Sequence, residues 1–299
     1  MRTLILGNGL IGKAIARKLV TAKHDIVIAS RSADDKIDGV KYVQNSFEEI
    51  VNNATLFANA DNVIHTICTS SPASSMQDIY KDAYENVLLN VKLIEMLRQH
   101  PVQKLIFLSS GGSVYGNEAV TDVDEKHPTH PISAYGVAKI NVEKYLYLYG
   151  YHFGLNYLVL RPSNVYGYIK NLKKSQGVIN HIIDCTLRNK QFKLWGSLEN
   201  RKDYLYVDDL AEAVAIALQR KEKYTTAIYN LSNGITSSLG MIITMVEKVT
   251  GKRMNMEVQE GAKFDVSSIN VNGFLFKTDF NWTPQYDIES GIRKIISQY

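Results

Sequence analysis

Residues 2–12, Arg2-Thr3-Leu4-Ile5-Leu6-Gly7-Asn8-Gly9-Leu10-Ile11-Gly12, set a short apolar run directly against a glycine turn. Ala14, Ile15, Ala16, Leu19 and Val20 then recur at helical spacing, so the segment reads as strand, tight turn and helix. Glycines at 7, 9 and 12 permit the turn, let backbone approach a pyrophosphate and bring the helix close to the strand. The free N–H groups and positive dipole end of such a helix favour an anion. The pattern therefore predicts a dinucleotide site built from Gly7, Asn8, Gly9, Leu10, Ile11 and Gly12, with a plain tight turn as the alternative.

Working outward, apolar strands recur at 25–30, 40–43, 62–67, 104–109 and 156–161, separated by helical segments. That alternation predicts an α/β fold, a Rossmann-type doubly wound parallel sheet with a smaller C-terminal substrate lobe. The end of the second strand tests which dinucleotide is bound. An NAD site offers an acid to the adenosine ribose, whereas an NADP site removes it and supplies a cation. Here the chain reads Ala29-Ser30-Arg31-Ser32, which has no acid and an arginine able to pair with a phosphate. Ser30 and Arg31 therefore favour NADP, with NAD as the alternative. A helix over 76–99 is apolar nearly all round, so it needs cover on two sides, and a subunit interface is the expected second cover. Asn86 opens its apolar part, where its amide either reaches the cofactor or satisfies a loop.

Ser133-Ala134-Tyr135-Gly136-Val137-Ala138-Lys139 places a phenol and an ammonium at i and i+4 on one helix face, with Ser133 as N-cap and Val142 and Leu146 continuing the stripe. An ammonium beside a phenol favours the phenolate and lowers its pKa towards the range of a general acid or base. The alternative is a tyrosine packed on a lysine stem. Ser109-Ser110-Gly111-Gly112-Ser113 follows a strand end, where ligands bind in such sheets and hydroxyls can bond a reacting oxygen.

After Gly167 the texture changes. Lys170, Lys173 and Lys174 precede a helix over 177–189, and shorter elements follow to the C-terminus. The expected division is a dinucleotide-binding domain over 1–165 with returning segments at about 203–231. A nucleotide-sugar-binding lobe would comprise 166–202 and 232–299.

The chain of 299 residues is long enough for this arrangement, and a net charge of +4 from 34 basic and 30 acidic residues is too balanced for a nucleic-acid protein. Two cysteines, Cys68 and Cys185, offer no disulfide framework and no metal spacing. No apolar run approaches the roughly 20 residues that span a bilayer, so the expectation is a cytoplasmic protein with no membrane partner and no metal.

With these motifs in order on successive strand ends, the chain resembles an extended short-chain dehydrogenase/reductase of the NAD-dependent epimerase/dehydratase group, which includes UDP-glucose 4-epimerase and nucleotide-linked 4-keto-6-deoxyhexose reductases. Arg161 to Gly167, Asp203 to Leu210 and Asn281-Trp282-Thr283-Pro284 are similar to later markers of that group. The resemblance implies that Tyr135 is the acid/base and that Lys139 lowers its pKa and holds the nicotinamide ribose. It also implies that Thr66, Asn86, Ser109 and Pro162 line the cofactor. Asn164, Gly177, Val178, Trp195 and Lys202 would face a UDP- or dTDP-linked sugar. Trp195 would lie against the nucleobase, with a core tryptophan as the alternative, and either Lys202 or Arg201 would clamp the diphosphate. A homodimer is implied, packing the helix over 76–99 with the one that carries Tyr135.

Gly111 stands where the group carries its catalytic Ser or Thr, so the hydroxyl must come from Ser113 or Ser110. Gly112 and Ser113 replace the acidic pair of the dehydratases, which argues against dehydration. The expected activity is NADPH-dependent reduction of a nucleotide-linked 4-keto-(6-deoxy)hexose. The alternatives are an NAD(P)-dependent 4-epimerase and a non-catalytic NADP-binding member of the group.

Overall fold

The computed structural model describes residues 1–117, 122–170, 177–220, 227–259, 266 and 268–299. Lys173 and Lys174 lie outside the described residues. Twelve strands are described: β1 (Arg2–Leu6), β2 (Asp25–Ser30), β3 (Val40–Gln44), β4 (Asn62–His65), β5 (Lys104–Leu108), β6 (Tyr157–Pro162), β7 (Asn164–Tyr166), β8 (Gln191–Trp195), β9 (Arg201–Tyr206), β10 (Ile228–Leu231), β11 (Thr236–Ser238) and β12 (Asn255–Gln259).

Seven of them form one sheet in the order β10-β6-β5-β4-β1-β2-β3, and every pairing in it is parallel. Strands β5 and β6 are buried along their whole length, as expected where helices cover both faces. On one face Ile15 and Leu19 of the helix Leu10–Thr21 pack with Leu210 and Val214 of the helix Val207–Gln219. On the other, Leu93 and Leu97 of Leu89–Gln99 meet Val142 and Leu146 of Ala134–Phe153. Strand order reverses between β1 and β4, which opens a crevice at their carboxyl ends. The glycine turn after β1 and the loop after β4 therefore face each other there.

Two smaller sheets, β11-β9-β7 and β12-β8, share a third apolar cluster that includes Ile182, Ile183, Ile242, Val246 and Ile292. Among the described residues, no helix is long and apolar enough to cross a membrane, and no acidic, histidine and cysteine groups cluster as metal ligands.

The helix expected over 76–99 is divided. Ile79–Ala83 is α-helical, Tyr84–Leu88 widens into a π-turn, and Leu89–Gln99 resumes the α-helix. Nor is it apolar all round. Between 79 and 88 the buried residues are Asp82 and Asn86, while Ile79, Tyr80, Tyr84 and Leu88 point outward. Apolar side chains turn inward only from Leu89.

Beneath the sheet edge Glu143 and Arg161 form an ion pair at 2.5 Å, with side chains only 3% and 5% exposed. Removing one member leaves the other charge buried and uncompensated. Glu143→Ala should cost about 3–5 kcal/mol, measured as a lower urea midpoint with an unchanged slope.

Candidate active site

Gly7 adopts φ +114°, a left-handed conformation that side chains rarely take, and a Cβ on Gly12 would lie 2.0 Å from the Gly7 carbonyl oxygen. These two glycines make the turn and the close approach of helix to strand. At Gly9 a Cβ would meet nothing within 4 Å, and as N-cap of the helix it supplies no side-chain cap. The first N–H groups of the helix Leu10–Thr21, which begins with Leu10 and Ile11, therefore face open space. That cradle fits a dinucleotide pyrophosphate.

Several predicted cofactor residues act on the cradle itself. The Thr66 hydroxyl donates to the Leu6 carbonyl at 2.8 Å, buttressing the turn. The Asn8 amide donates to the carbonyls of Ser32 (3.1 Å) and Asp34 (3.0 Å), tying the turn to the loop after β2. Ser30 is buried and its hydroxyl donates to the Ser32 carbonyl at 2.5 Å. Arg31 is exposed, and its guanidinium meets no partner among the described residues. The acids nearby are engaged: Asp35 pairs with Lys13 (3.3 Å) and Lys170 (3.2 Å), and Asp34 accepts from Ser32.

Two of the expected cofactor side chains are engaged within the protein. The Ser109 hydroxyl donates to Glu143 at 2.5 Å in the buried ion-pair network, so the side chain is turned away from the crevice. The Asn86 amide serves the loop 68–70, accepting from the Thr69 N–H (3.0 Å) and donating to the Thr69 hydroxyl (2.9 Å) and Asp82 (3.0 Å). Pro162 closes β6, and its carbonyl accepts the Gly111 N–H at 2.8 Å.

Ser133 caps the helix Ala134–Phe153, accepting from the Gly136 N–H at 3.2 Å, which sets Tyr135 and Lys139 on the face towards β5. The Lys139 ammonium donates to the Leu108 carbonyl at 2.8 Å and lies 5.6 Å from the centre of the Tyr135 ring. Tyr135 keeps part of its surface open. The expected lowering of its pKa is not found. Burial pushes the phenol above its ordinary value, Cys68 and Asp82 add to that, and a hydrogen bond with Ser110 works against it. Desolvation of the phenolate outweighs the single favourable bond.

Of the two candidate serines, Ser110 is the one that interacts with the Tyr135 phenol. The Ser113 carbonyl packs against Gly136, where a Cβ would lie 2.6 Å from it. The glycine at 111 has a steric cause. A Cβ there would stand 2.9 Å from the Arg161 carbonyl and 3.2 Å from that of Pro162, so the loop presses too closely on β6 to admit a serine without shifting.

His65, at the end of β4, lies beside Lys139 and was not anticipated. Burial first, then the Lys139 ammonium, holds its imidazole down to about 3, so the ring is neutral and bonds Asn90 at 2.5 Å. Asp82 was also missed, although Asp82, Asn86 and Asn90 recur at spacing four.

The predicted substrate residues fall in two groups. The Asn164 amide adjoins Gly112, where a Cβ would come within 3.2 Å of it, and donates to the Asp203 carbonyl at 3.0 Å. Gly177, Val178, Trp195 and Lys202 line a cavity of about 370 Å³ together with His181 and Tyr204. Trp195 is 57% exposed, which rules out a core tryptophan. The neighbouring Arg201 is committed to Thr236, through the hydroxyl at 3.3 Å and the carbonyl at 3.0 Å, whereas Lys202 lines the cavity together with Lys193. A larger cleft of about 720 Å³ opens beside Lys144, Tyr147 and Phe274, but no predicted site residue lines it.

Residues 3–232 match the NAD dependent epimerase/dehydratase family, and the chain belongs to that family. A putative UDP-glucose 4-epimerase of Methanocaldococcus jannaschii is 31% identical over 97% of this chain and 95% of its own length. A dTDP-4-dehydro-6-deoxyglucose reductase of Escherichia coli is 28% identical over 97% of this chain and 94% of its own. The crystal structure of Thermus thermophilus UDP-glucose 4-epimerase in complex with NAD superposes with a TM-score of 0.90 at 26% identity, covering 99% of this chain and 98% of that one. The fold and enzyme class are those of the NAD-dependent nucleotide-sugar epimerases and oxidoreductases.

Gly12→Ala should weaken binding of a nicotinamide dinucleotide at least roughly tenfold, because the added methyl opens the turn that shapes the cradle. Calorimetric titration measures this, and unchanged affinity would remove the glycine turn from the site.

Proposed function

We propose that the protein is a 4-epimerase of a UDP-linked hexose, with Tyr135 as its acid–base group. The observation that carries this reading is the Tyr135, Ser110 and Lys139 cluster at the end of β5, beside the glycine cradle. It is supported by full-length relatives that bear 4-epimerase names. The bound nicotinamide supplies the acceptor and donor of hydride at the sugar's C4. Tyr135 takes the proton of the C4 hydroxyl and later returns it, the Ser110 hydroxyl steadies the oxygen between those events, and Lys139 orients the cofactor ribose. The cavity beside Trp195 and Lys202 takes the nucleotide, stacking the base and pairing the diphosphate, and Asn164 faces the sugar. On this reading residues 166–202 and 232–299 form the nucleotide-sugar lobe. The outward apolar side chains Tyr80, Leu88, Tyr147 and Tyr151 form a homodimer face.

A second reading, the NADPH-dependent 4-ketoreductase expected from the sequence, is favoured by Ser30 and the exposed Arg31 at the end of β2 and by the reductase among the relatives. The weight of the relatives' names lies with the epimerase, which therefore takes first place.

Purified protein should interconvert UDP-glucose and UDP-galactose without net consumption of reduced cofactor, and Tyr135→Phe should abolish that turnover while retaining the dinucleotide. Stoichiometric oxidation of NADPH by a UDP- or dTDP-linked 4-keto-6-deoxyhexose would instead establish the reductase. Arg31→Asp should weaken NADPH relative to NADH by about 1.5–3 kcal/mol, the value of a charge-assisted bond. Equal affinities before and after would end the assignment of Arg31 to a 2′-phosphate.

A further inference from the structure

Residues 66–76 run from the glycine turn to the start of the helix Ala134–Phe153, and polar side chains pin them at both ends. At the crevice the Thr66 hydroxyl donates to the Leu6 carbonyl, and the Asn86 amide accepts the Thr69 N–H. Ser71 then accepts from the Ser74 N–H and Ser74 from the Ser71 N–H, a reciprocal cap that closes the single turn Pro72–Ser75. The last residue of that turn, Ser75, is 1% exposed. Its hydroxyl donates to the Pro72 carbonyl at 2.9 Å and accepts the Tyr135 N–H at 3.0 Å. Next to it Met76 Sδ accepts the Ala134 N–H at 3.4 Å. The first N–H groups of a helix have no partner within it. Ser133 serves the third of them, that of Gly136, so the first two are capped by residues 58 and 60 positions away in the chain.

We infer that Ser75 is a positioning residue for Tyr135, a cap distant in the chain that ties the tyrosine's own backbone to the segment walling the dinucleotide crevice. The inference rests on the reading of Tyr135 as the acid–base group, not on which of the two reactions runs. Further along the same helix the Lys139 ammonium is held at the Leu108 carbonyl and Glu143 at Arg161, both on the strands of the large sheet. Anchors along the body of a rod leave its end free to tilt, and Tyr135 stands at that end. Ser75 supplies an anchor there from a different element, the turn after β4. A serine hydroxyl carries one donor and two acceptor positions, and this one donates and accepts at once, so the turn and the helix move together or not at all. An alanine would leave the Tyr135 N–H without its acceptor and release the first turn of the helix. The loss falls on rate, because a reacting group displaced by about 1 Å costs on the order of a hundredfold. Binding is spared, since the glycine turn and the cavity beside Trp195 are built from other residues.

The test compares Ser75→Ala and Ser75→Cys, which remove or weaken the acceptor, with Ser75→Thr, which keeps the hydroxyl. In the interconversion of UDP-glucose and UDP-galactose, Ser75→Ala should lower kcat about tenfold, part of the loss expected for a misplaced reacting group. KM for the nucleotide sugar and the dissociation constant of the dinucleotide should stay unchanged. Ser75→Cys, which keeps the side-chain volume, should reproduce the loss if Ser75→Ala does not fold, and Ser75→Thr should restore most of the rate. In parallel, 3-fluorotyrosine is incorporated into the whole protein, and the Tyr135 resonance is assigned as the fluorine signal that Tyr135→Phe removes. That resonance should broaden or split in the alanine and cysteine variants, with the remaining tyrosine signals in place, and sharpen again in Ser75→Thr. An unchanged Tyr135 resonance in both variants would overturn the proposal and leave Ser75 a structural residue, whatever happens to thermal stability. Weaker dinucleotide binding at unchanged kcat would overturn it as well, by assigning Ser75 to the cofactor wall alone. The fluorine spectrum requires no substrate, so it decides the role of Ser75 even where no nucleotide-sugar turnover is detected.

Discussion

Glu143, one helical turn beyond Lys139, accepts from Ser109 at the end of β5 and from Arg161 at the end of β6. Arg161 donates in turn to the Tyr115 hydroxyl at 3.0 Å, and Tyr115 donates to Asn230 on β10 at 2.6 Å. One buried chain of charge-assisted bonds thus joins the helix Ala134–Phe153 to three neighbouring strand ends. Its energetics are asymmetric. A well-packed apolar substitute for the complete pair can match its stability, but half of the pair is worse than none. The ion pair therefore fixes position more than it adds stability, and what it fixes is the height of Tyr135 and Lys139 above the ends of β5 and β6. The cost of misplacing a reacting group by about 1 Å is on the order of a hundredfold in rate, which gives such a tether its value.

That tether also accounts for the displaced hydroxyl. With Ser109 drawn down to Glu143 and the next turn pressed against the carbonyls of Arg161 and Pro162, position 111 has no room for a side chain. Ser110 is the residue left between an anchored neighbour and a crowded glycine, and it interacts with the Tyr135 phenol. The glycine follows from how closely the loop approaches β6.

The parts of the molecule governed by local rules were legible in the sequence. Gly7 and Gly12 do what the spacing foretold, Ser133 caps the helix it was expected to cap, and the strand and helix alternation gave the sheet. The π-turn at Tyr84–Leu88 was not legible, because a single widened turn leaves the apolar spacing on either side almost unchanged. The short strands β7, β11 and β12 were missed because each is held by partners distant in sequence rather than by its own propensity. Asn86 was open to two readings, and its loop-tying bonds depend on residues 69, 70 and 82 meeting in space. The pKa of Tyr135 was read in the wrong direction for the same reason. The lysine one turn away is visible in the sequence, whereas the burial that outweighs it follows from the packing of the fold around the ring.

The two ends of the dinucleotide crevice give different kinds of information about the reaction. At the adenosine end Ser30 and the exposed Arg31 close β2, and the nearby Asp34 and Asp35 are engaged by Ser32, Lys13 and Lys170. At the nicotinamide end the tyrosine, the serine and the anchored lysine are common to oxidation and reduction alike. The direction of chemistry depends on how firmly the cofactor is retained and where the phenol's proton rests. An enzyme that returns the same hydride gains from holding its nicotinamide, and one that consumes hydride must let it go. Since the cradle itself serves either purpose, the choice between them falls to the charges around Arg31 and around Tyr135, which no backbone motif specifies.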